Sequence, residues 1–262
     1  IAEQLTRSGV KPLPGQTSLF RPFTFTGGTR DGGSSLTVTT TTPARTLSGP
    51  DTVQALSFSD DATVSGPVVF AGYGLVVPES QGFGYDSYVG LDVKDKVVLV
   101  LHYFPEDAEP TAKAMLARYS DLRYKALNAR QRGAKGLLVV IGPRSPNAGQ
   151  TLRMTADTAL SGSGIAAATI NRTAADLLFA PSGTTIEQAQ QALDSGNPHV
   201  PGFELKSRVS VTTTVVREKQ SGRNVVGYLP ATVPSPKERP WVIVGAHYDH
   251  LGRGTRGTSL AG

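Results

Sequence analysis

Cysteine is missing from all 262 residues of this chain. Its absence removes disulfide bonds, thiolate metal sites and cysteine nucleophiles together, so any metal must be held by His, Asp or Glu. Histidine is scarce too, with only His102, His199, His247 and His250. No apolar run reaches the roughly 20 residues that a membrane-spanning helix needs, and the N-terminus lacks the basic-then-apolar pattern of a signal peptide. A soluble chain without a membrane span is expected. The formal charge is +5, yet Lys and Arg are scattered and no basic run interleaves with aromatic residues, which argues against a nucleic-acid partner. Lack of cysteine with abundant Thr, Ser and Gly suits a bacterial protein that is secreted or held in the cell envelope after loss of its signal, although the same composition permits a cytoplasmic one.

What is present points to a mixed fold. A chain of this length fills one large domain or two ordinary ones, and 29 Gly with 18 Pro imply many turns, so an all-helical fold is not expected. Residues 1–8 read as the last turns of an amphipathic helix closed by Gly9, a helix whose beginning is expected to lie upstream. Segments 18–26 and 35–42 read as a hairpin around Gly27-Gly28 and Gly32-Gly33, and segments 205–215 and 224–229 as another around Ser221-Gly222. Between these, apolar strands at 68–77, 96–103, 136–141 and 165–170 alternate with a long helix at 111–132 and shorter ones at 174–180 and 185–194. That alternation is the signature of an α/β unit. The simplest partition is residues 1–48 and 206–262 as one domain, interrupted by an inserted α/β domain at 49–205.

The run Trp241–Ala246 (WVIVGA) reads as a central strand buried on both faces, and His247, Tyr248, Asp249 and His250 fall where it ends. Ligands in open α/β sheets gather at the carboxyl ends of strands. In an extended segment His247 and Asp249 project to the same side with Cα atoms roughly 6–7 Å apart, so an imidazole could bind metal while the carboxylate fixes its orientation. Gly245 and Gly252 would allow a close backbone approach and a sharp exit. An H-x-D tripeptide alone is also compatible with an ordinary hydrogen-bonded histidine.

WVIVGAHYDHLG resembles the first metal motif of the co-catalytic di-zinc exopeptidases, the aminopeptidase family to which glutamate carboxypeptidase and the transferrin receptor are related. Residues 70–105, with their AGYG, YDSY and GLDVKDKVVLV blocks, resemble the front half of the protease-associated domain inserted in many of these enzymes. GAKGLLVV and IAAATINRTAADLLFA continue that likeness, and RNVVGYLPA (223–231) is similar to the strand preceding the metal motif. The resemblance implies the N-terminal part of a mixed-sheet zinc exopeptidase domain interrupted by the inserted domain. It implies His247 as a ligand to one of two zinc ions, Asp249 as the carboxylate orienting it, and a peptide substrate cleaved by metal-activated water. The family's bridging Asp, general-base Glu and remaining ligands would lie beyond Gly262, so the 262-residue chain alone is expected to be inactive. Aminopeptidase activity is the first expectation for the whole protein, with carboxypeptidase activity open. A non-catalytic, receptor-like binding protein is the alternative.

Other features carry less. GTSLAG (257–262) is similar to the nucleophile block of subtilisin-like proteases, but the H-x-D placement fits no triad. AGYG and SGSG lack the spacing of a phosphate cradle. His102 reads as a core or strand-end residue, His199 as exposed, and Tyr73, Tyr85 and Tyr88 as packing residues.

Overall fold

The computed structural model describes residues 1–82, 84–155, 162–233 and 240–247. It divides into two compact units, one made of 1–21 with 223–262 and the other of 22–222. The larger unit is a mixed α/β structure.

In chain order the elements are α1 (Ala2–Arg7), β1 (Phe20–Asp31), β2 (Ser35–Val38), β3 (Arg45–Ser48), β4 (Val53–Ala55), β5 (Ala62–Phe70), β6 (Val76–Val77) and β7 (Tyr85–Asp86). There follow β8 (Val97–Leu101), α2 (Pro110–Arg118), α3 (Leu122–Gln131), β9 (Gly136–Val140), β10 (Ala166–Ile170), α4 (Arg172–Phe179), α5 (Ile186–Leu193), β11 (Phe203–Thr213) and β12 (Val215–Val225). One eight-stranded sheet has the order β3-β2-β11-β5-β8-β9-β10-β4. Its β5, β8, β9 and β10 run parallel, while β4, β11, β2 and β3 pair antiparallel.

Every residue of β8, β9 and β10 is buried, which explains their unbroken apolar sequences VVLVL, GLLVV and AAATI. One apolar cluster joins Phe70, Leu99 and Leu138 to α4 and α5; the other sets Val69, Val98, Val100 and Leu137 against Ala126 and Ala129 of α3. Phe70 packs edge-on against Phe179, with ring centroids 5.2 Å apart. Asp31, at the end of β1, accepts hydrogen bonds from the backbone N–H groups of Gly33, Ser34 and Ala55, so β4 is tied to the start of the unit. Burial acts to raise its pKa, but these bonds and the Ser34 hydroxyl hold the carboxyl below its ordinary value.

Several sequence expectations are corrected by pairing. The two expected hairpins do not form: β1 pairs with β12, and β2 pairs with β3 and β11. Gly27 and Ser221-Gly222 therefore lie inside strands. A Cβ at Gly27 would collide with the Gln220 side chain, and one at Gly222 would stand 2.8 Å from the Phe23 ring, so these glycines make room for cross-strand neighbours. The expected long helix is two helices. Asp121 ends the helical run by accepting from the N–H groups of Arg123 and Tyr124 as the N-cap of α3. Gly133 (φ +85) closes α3, with Ala134 N–H bonded to the Ala129 carbonyl.

The limits of the larger unit are set by this sheet. β2, β3 and β11 hydrogen-bond into it, so the unit runs from 22 to 222, beyond the 49–205 suggested by composition.

In the smaller unit, α1 ends at Gly9 (φ +86) with the Val10 N–H bonded to the Leu5 carbonyl. Lys11 and Tyr228 form an antiparallel bridge, and the Val226 N–H donates to the Leu19 carbonyl. Residues 240–247 do not form the buried strand expected: Trp241 is 71% exposed and Val244 91%. A strand apolar on both faces draws its burial from a neighbour at each edge and a layer on each face. The Tyr228 ring packs edge-on to Trp241, with centroids 6.0 Å apart.

Candidate functional site

His247 follows Trp241–Ala246, which form neither helix nor strand, and is exposed. Gly245, expected to permit a close approach, has open space where a Cβ would stand. Asp249, Tyr248, His250, Gly252 and the segment 257–262 lie outside the described residues. Among the described residues, no cluster of three or more His, Asp or Glu side chains could hold a metal. His199 is exposed, and its N–H donates to Asn197 Oδ1.

The larger unit concentrates its buried polar chemistry at the carboxyl ends of β5, β8 and β9. Tyr73 sits in the turn after β5, where Gly74 takes φ +64 and a Cβ would stand 2.7 Å from Val100 Cγ1. The Tyr73 hydroxyl donates to Asp194 Oδ1 at 2.6 Å and accepts from Gln190 Nε2 at 3.1 Å. Arg144, in the loop after β9, donates through Nε to Asp194 Oδ2 at 2.6 Å and through Nη2 to Asp107 at 3.1 Å. Gln190 completes the set, donating to Ser145 Oγ and accepting from the Arg144 N–H. Asp194 is 1% exposed, and burial together with its negative charge drives the Tyr73 pKa well above the ordinary phenol value.

Beside this network stands a buried cation. Lys125 of α3 is wholly buried, and its Nζ donates to the carbonyls of Leu101 at 3.0 Å and Tyr103 at 2.7 Å. Burial pulls its pKa down to about 7, opposed only by Asp121. His102, between those carbonyls, has a buried Nδ1 without a hydrogen-bond partner among the described residues, and burial and the charge of Lys125 push it down to about 4.

Topology decides what this edge can do. The parallel strands β5, β8, β9 and β10 follow one another in space in chain order, so the strand order never reverses among them. Ligand crevices in open sheets form where it does reverse. Here side chains fill the strand ends, and the network braces the loops.

A family model for the PA domain matches residues 64–178. The chain carries a PA domain. In this PA domain the matched stretch runs from β5 to α4, and the structure adds β2, β3 and β11 to the same sheet. No curated protein matches the chain in sequence. Among solved structures, an aminopeptidase from Aneurinibacillus sp. strain AM-1 is 17% identical with a TM-score of 0.46, over 85% of this chain and 39% of its own. BSAP, a zinc aminopeptidase from Bacillus subtilis, is 15% identical with a TM-score of 0.36, over 89% and 40%. The subtilisin-like protease Apa1 from the Antarctic psychrotroph Pseudoalteromonas sp. AS-11 is 10% identical with a TM-score of 0.29, over 72% and 34%. The chain spans about two fifths of the length of the first two.

Sequence reasoning singled out His247 and Asp249 and passed over Lys125, Arg144 and Asp194. One signal was available for Lys125: it falls beside Leu122, Ala126 and Ala129 on the apolar face of α3, where a lysine is out of place. Asp194 carried no comparable signal, because a carboxylate just past a helix end is ordinary.

Proposed function

We propose that the protein to which this chain belongs is a zinc-dependent exopeptidase, specifically an aminopeptidase that removes N-terminal residues from peptides. The observation that carries this reading is the PA domain matched at 64–178, set between flanking segments of which the later one reaches WVIVGAHYDHLG. His247 lies at the surface, which is compatible with that role. In this reading His247 is a zinc ligand, Asp249 orients its imidazole, the segments outside the 22–222 unit belong to the catalytic domain, and the protein works outside the cytoplasm.

The described residues do not themselves make a zinc site. A catalytic zinc takes about three protein donors, and this end of the described chain offers one imidazole. The described residues contribute the His247 imidazole and a folded PA domain.

The test is hydrolysis of aminoacyl p-nitroanilides by the whole protein. Chelator-sensitive release is expected, with kcat/KM falling by about 100-fold or more in His247→Ala. Blocking the substrate's α-amino group is expected to abolish turnover. Hydrolysis that survives both the chelator and His247→Ala would overturn the assignment, and hydrolysis of only C-terminally free peptides would make the enzyme a carboxypeptidase. A stably folded whole protein with no hydrolysis would favour the receptor-like reading.

A further inference from the structure

Among the described residues, the buried cation at the exit of β8 has no counter-ion. Lys125 carries three N–H bonds when protonated but meets two acceptors, both backbone carbonyls, and no carboxylate forms an ion pair with it among the described residues. A neutral amine has two N–H bonds, which satisfies both carbonyls with none left over. The two carbonyls flank His102, whose buried Nδ1 is itself unpaired, and Tyr103 takes φ +64, a conformation costly for a residue with a Cβ. Two basic groups thus share one strand exit where burial opposes the charge of each.

Each element packed around Lys125 is accounted for. On α3 itself, Asp121 caps the helix N-terminus and favours the charge. From the β5 exit the Tyr73 ring centroid lies 5.9 Å from Nζ, with its hydroxyl committed to Asp194. Asp194, just past α5, is in turn neutralised by Arg144. Beyond His102, Glu106 is engaged by Lys113.

We propose that Lys125 and His102 form an acid-sensitive latch, which holds the 101–107 strand exit in place when both are neutral and releases it when both become charged. On protonation, the third N–H of Lys125 meets no oxygen acceptor among the described residues and faces only the Tyr73 ring, 5.9 Å away, while the two cations repel each other. The least costly escape is for the exit to swing out and admit water. Three backbone bonds fasten it: Leu101 N–H to the Gly72 carbonyl, His102 N–H to the Val140 carbonyl, and Asp107 N–H to the Asp194 carbonyl. The low pKa values of both groups, about 7 and about 4, place the release in mildly to strongly acidic solution. This latch stands on the fold of the PA domain and does not depend on peptidase activity.

Hydrogen–deuterium exchange on the 262-residue chain at about pH 7.5 and about pH 3, corrected for intrinsic rates, reads it directly. The amides of 101–107 are expected to exchange about tenfold or more faster at the lower pH, while those of β9 keep their protection. Lys125→Met is expected to remove most of this difference. Exchange at 101–107 that is independent of pH, or a pH dependence that Lys125→Met retains, would overturn the latch. Should that variant fail to fold, the Lys125 side-chain nitrogen is followed by NMR in the unmodified chain. Loss of its proton near neutral pH supports the latch, and an ammonium that persists to about pH 10 contradicts it.

Discussion

Replacing Asp194 by alanine is expected to destabilise the PA domain by roughly 1–3 kcal/mol, the range for leaving a buried hydroxyl without its acceptor. The carboxylate is 1% exposed and is shared by the Tyr73 hydroxyl and Arg144 Nε, each at 2.6 Å. Its removal leaves the phenol proton without an acceptor in a buried site and Arg144 with only Asp107. Asp194→Asn, which keeps an acceptor for Tyr73 and removes the charge, is expected to cost less than Asp194→Ala. Urea unfolding of the three proteins measures this. An Asp194→Ala protein within about 0.5 kcal/mol of the parent would show that the network contributes specificity without stability.

A second large effect follows from Lys125. Its pKa is about 7 when folded against an ordinary 10.5, so between those values the unfolded chain binds more protons than the folded one. Stability must therefore rise with pH across that window, and the penalty for burying the ammonium is fully present below about pH 7. The whole difference corresponds to at most roughly 5 kcal/mol, of which roughly 2–3 kcal/mol falls between about pH 6 and about pH 9. His102 acts in the same direction at lower pH, its contribution rising from about pH 4 to its ordinary value of 6.5. Urea midpoints at about pH 6 and about pH 9 are expected to differ accordingly, and Lys125→Met to flatten the difference. Equal midpoints at the two values would mean that the lysine ionises as it does in water.

The strand runs of the PA domain could be read from sequence because burial on both faces leaves its mark residue by residue. VVLVL, GLLVV and AAATI admit few other readings, and Thr185 with Gln188 announces the capping box that begins α5. Pairing was not readable in the same way. Gly27-Gly28 and Ser221-Gly222 have the composition of turns, yet they lie opposite bulky neighbours on a strand partner some 190 residues distant. Local turn chemistry cannot report such a partner. Asp121 shows the converse: a single side chain that caps a helix divided what apolar spacing read as one continuous element.

At the candidate metal site, sequence was informative about residue type and silent about assembly. The H-x-D spacing of His247 and Asp249 and the apolar run before them were legible. The expected burial of that run was not found, because burial belongs to neighbouring strands and Trp241–Val244 has none among the described residues. The Lys125 latch was obscured for a related reason. Its chemistry comes from two backbone carbonyls, and no side-chain pattern encodes them.

The proposed function rests most directly on zinc bound through His247, whose imidazole Asp249 would orient. Zinc stoichiometry of the whole protein, measured by elemental analysis after dialysis against metal-free buffer, tests this. About two ions per chain are expected, falling to about one or fewer in His247→Ala and weakened by about 10–100-fold in affinity in Asp249→Ala, as for loss of a carboxylate that orients a ligating imidazole. A whole protein that binds no zinc, or whose two ions survive His247→Ala at undiminished affinity, would contradict the account.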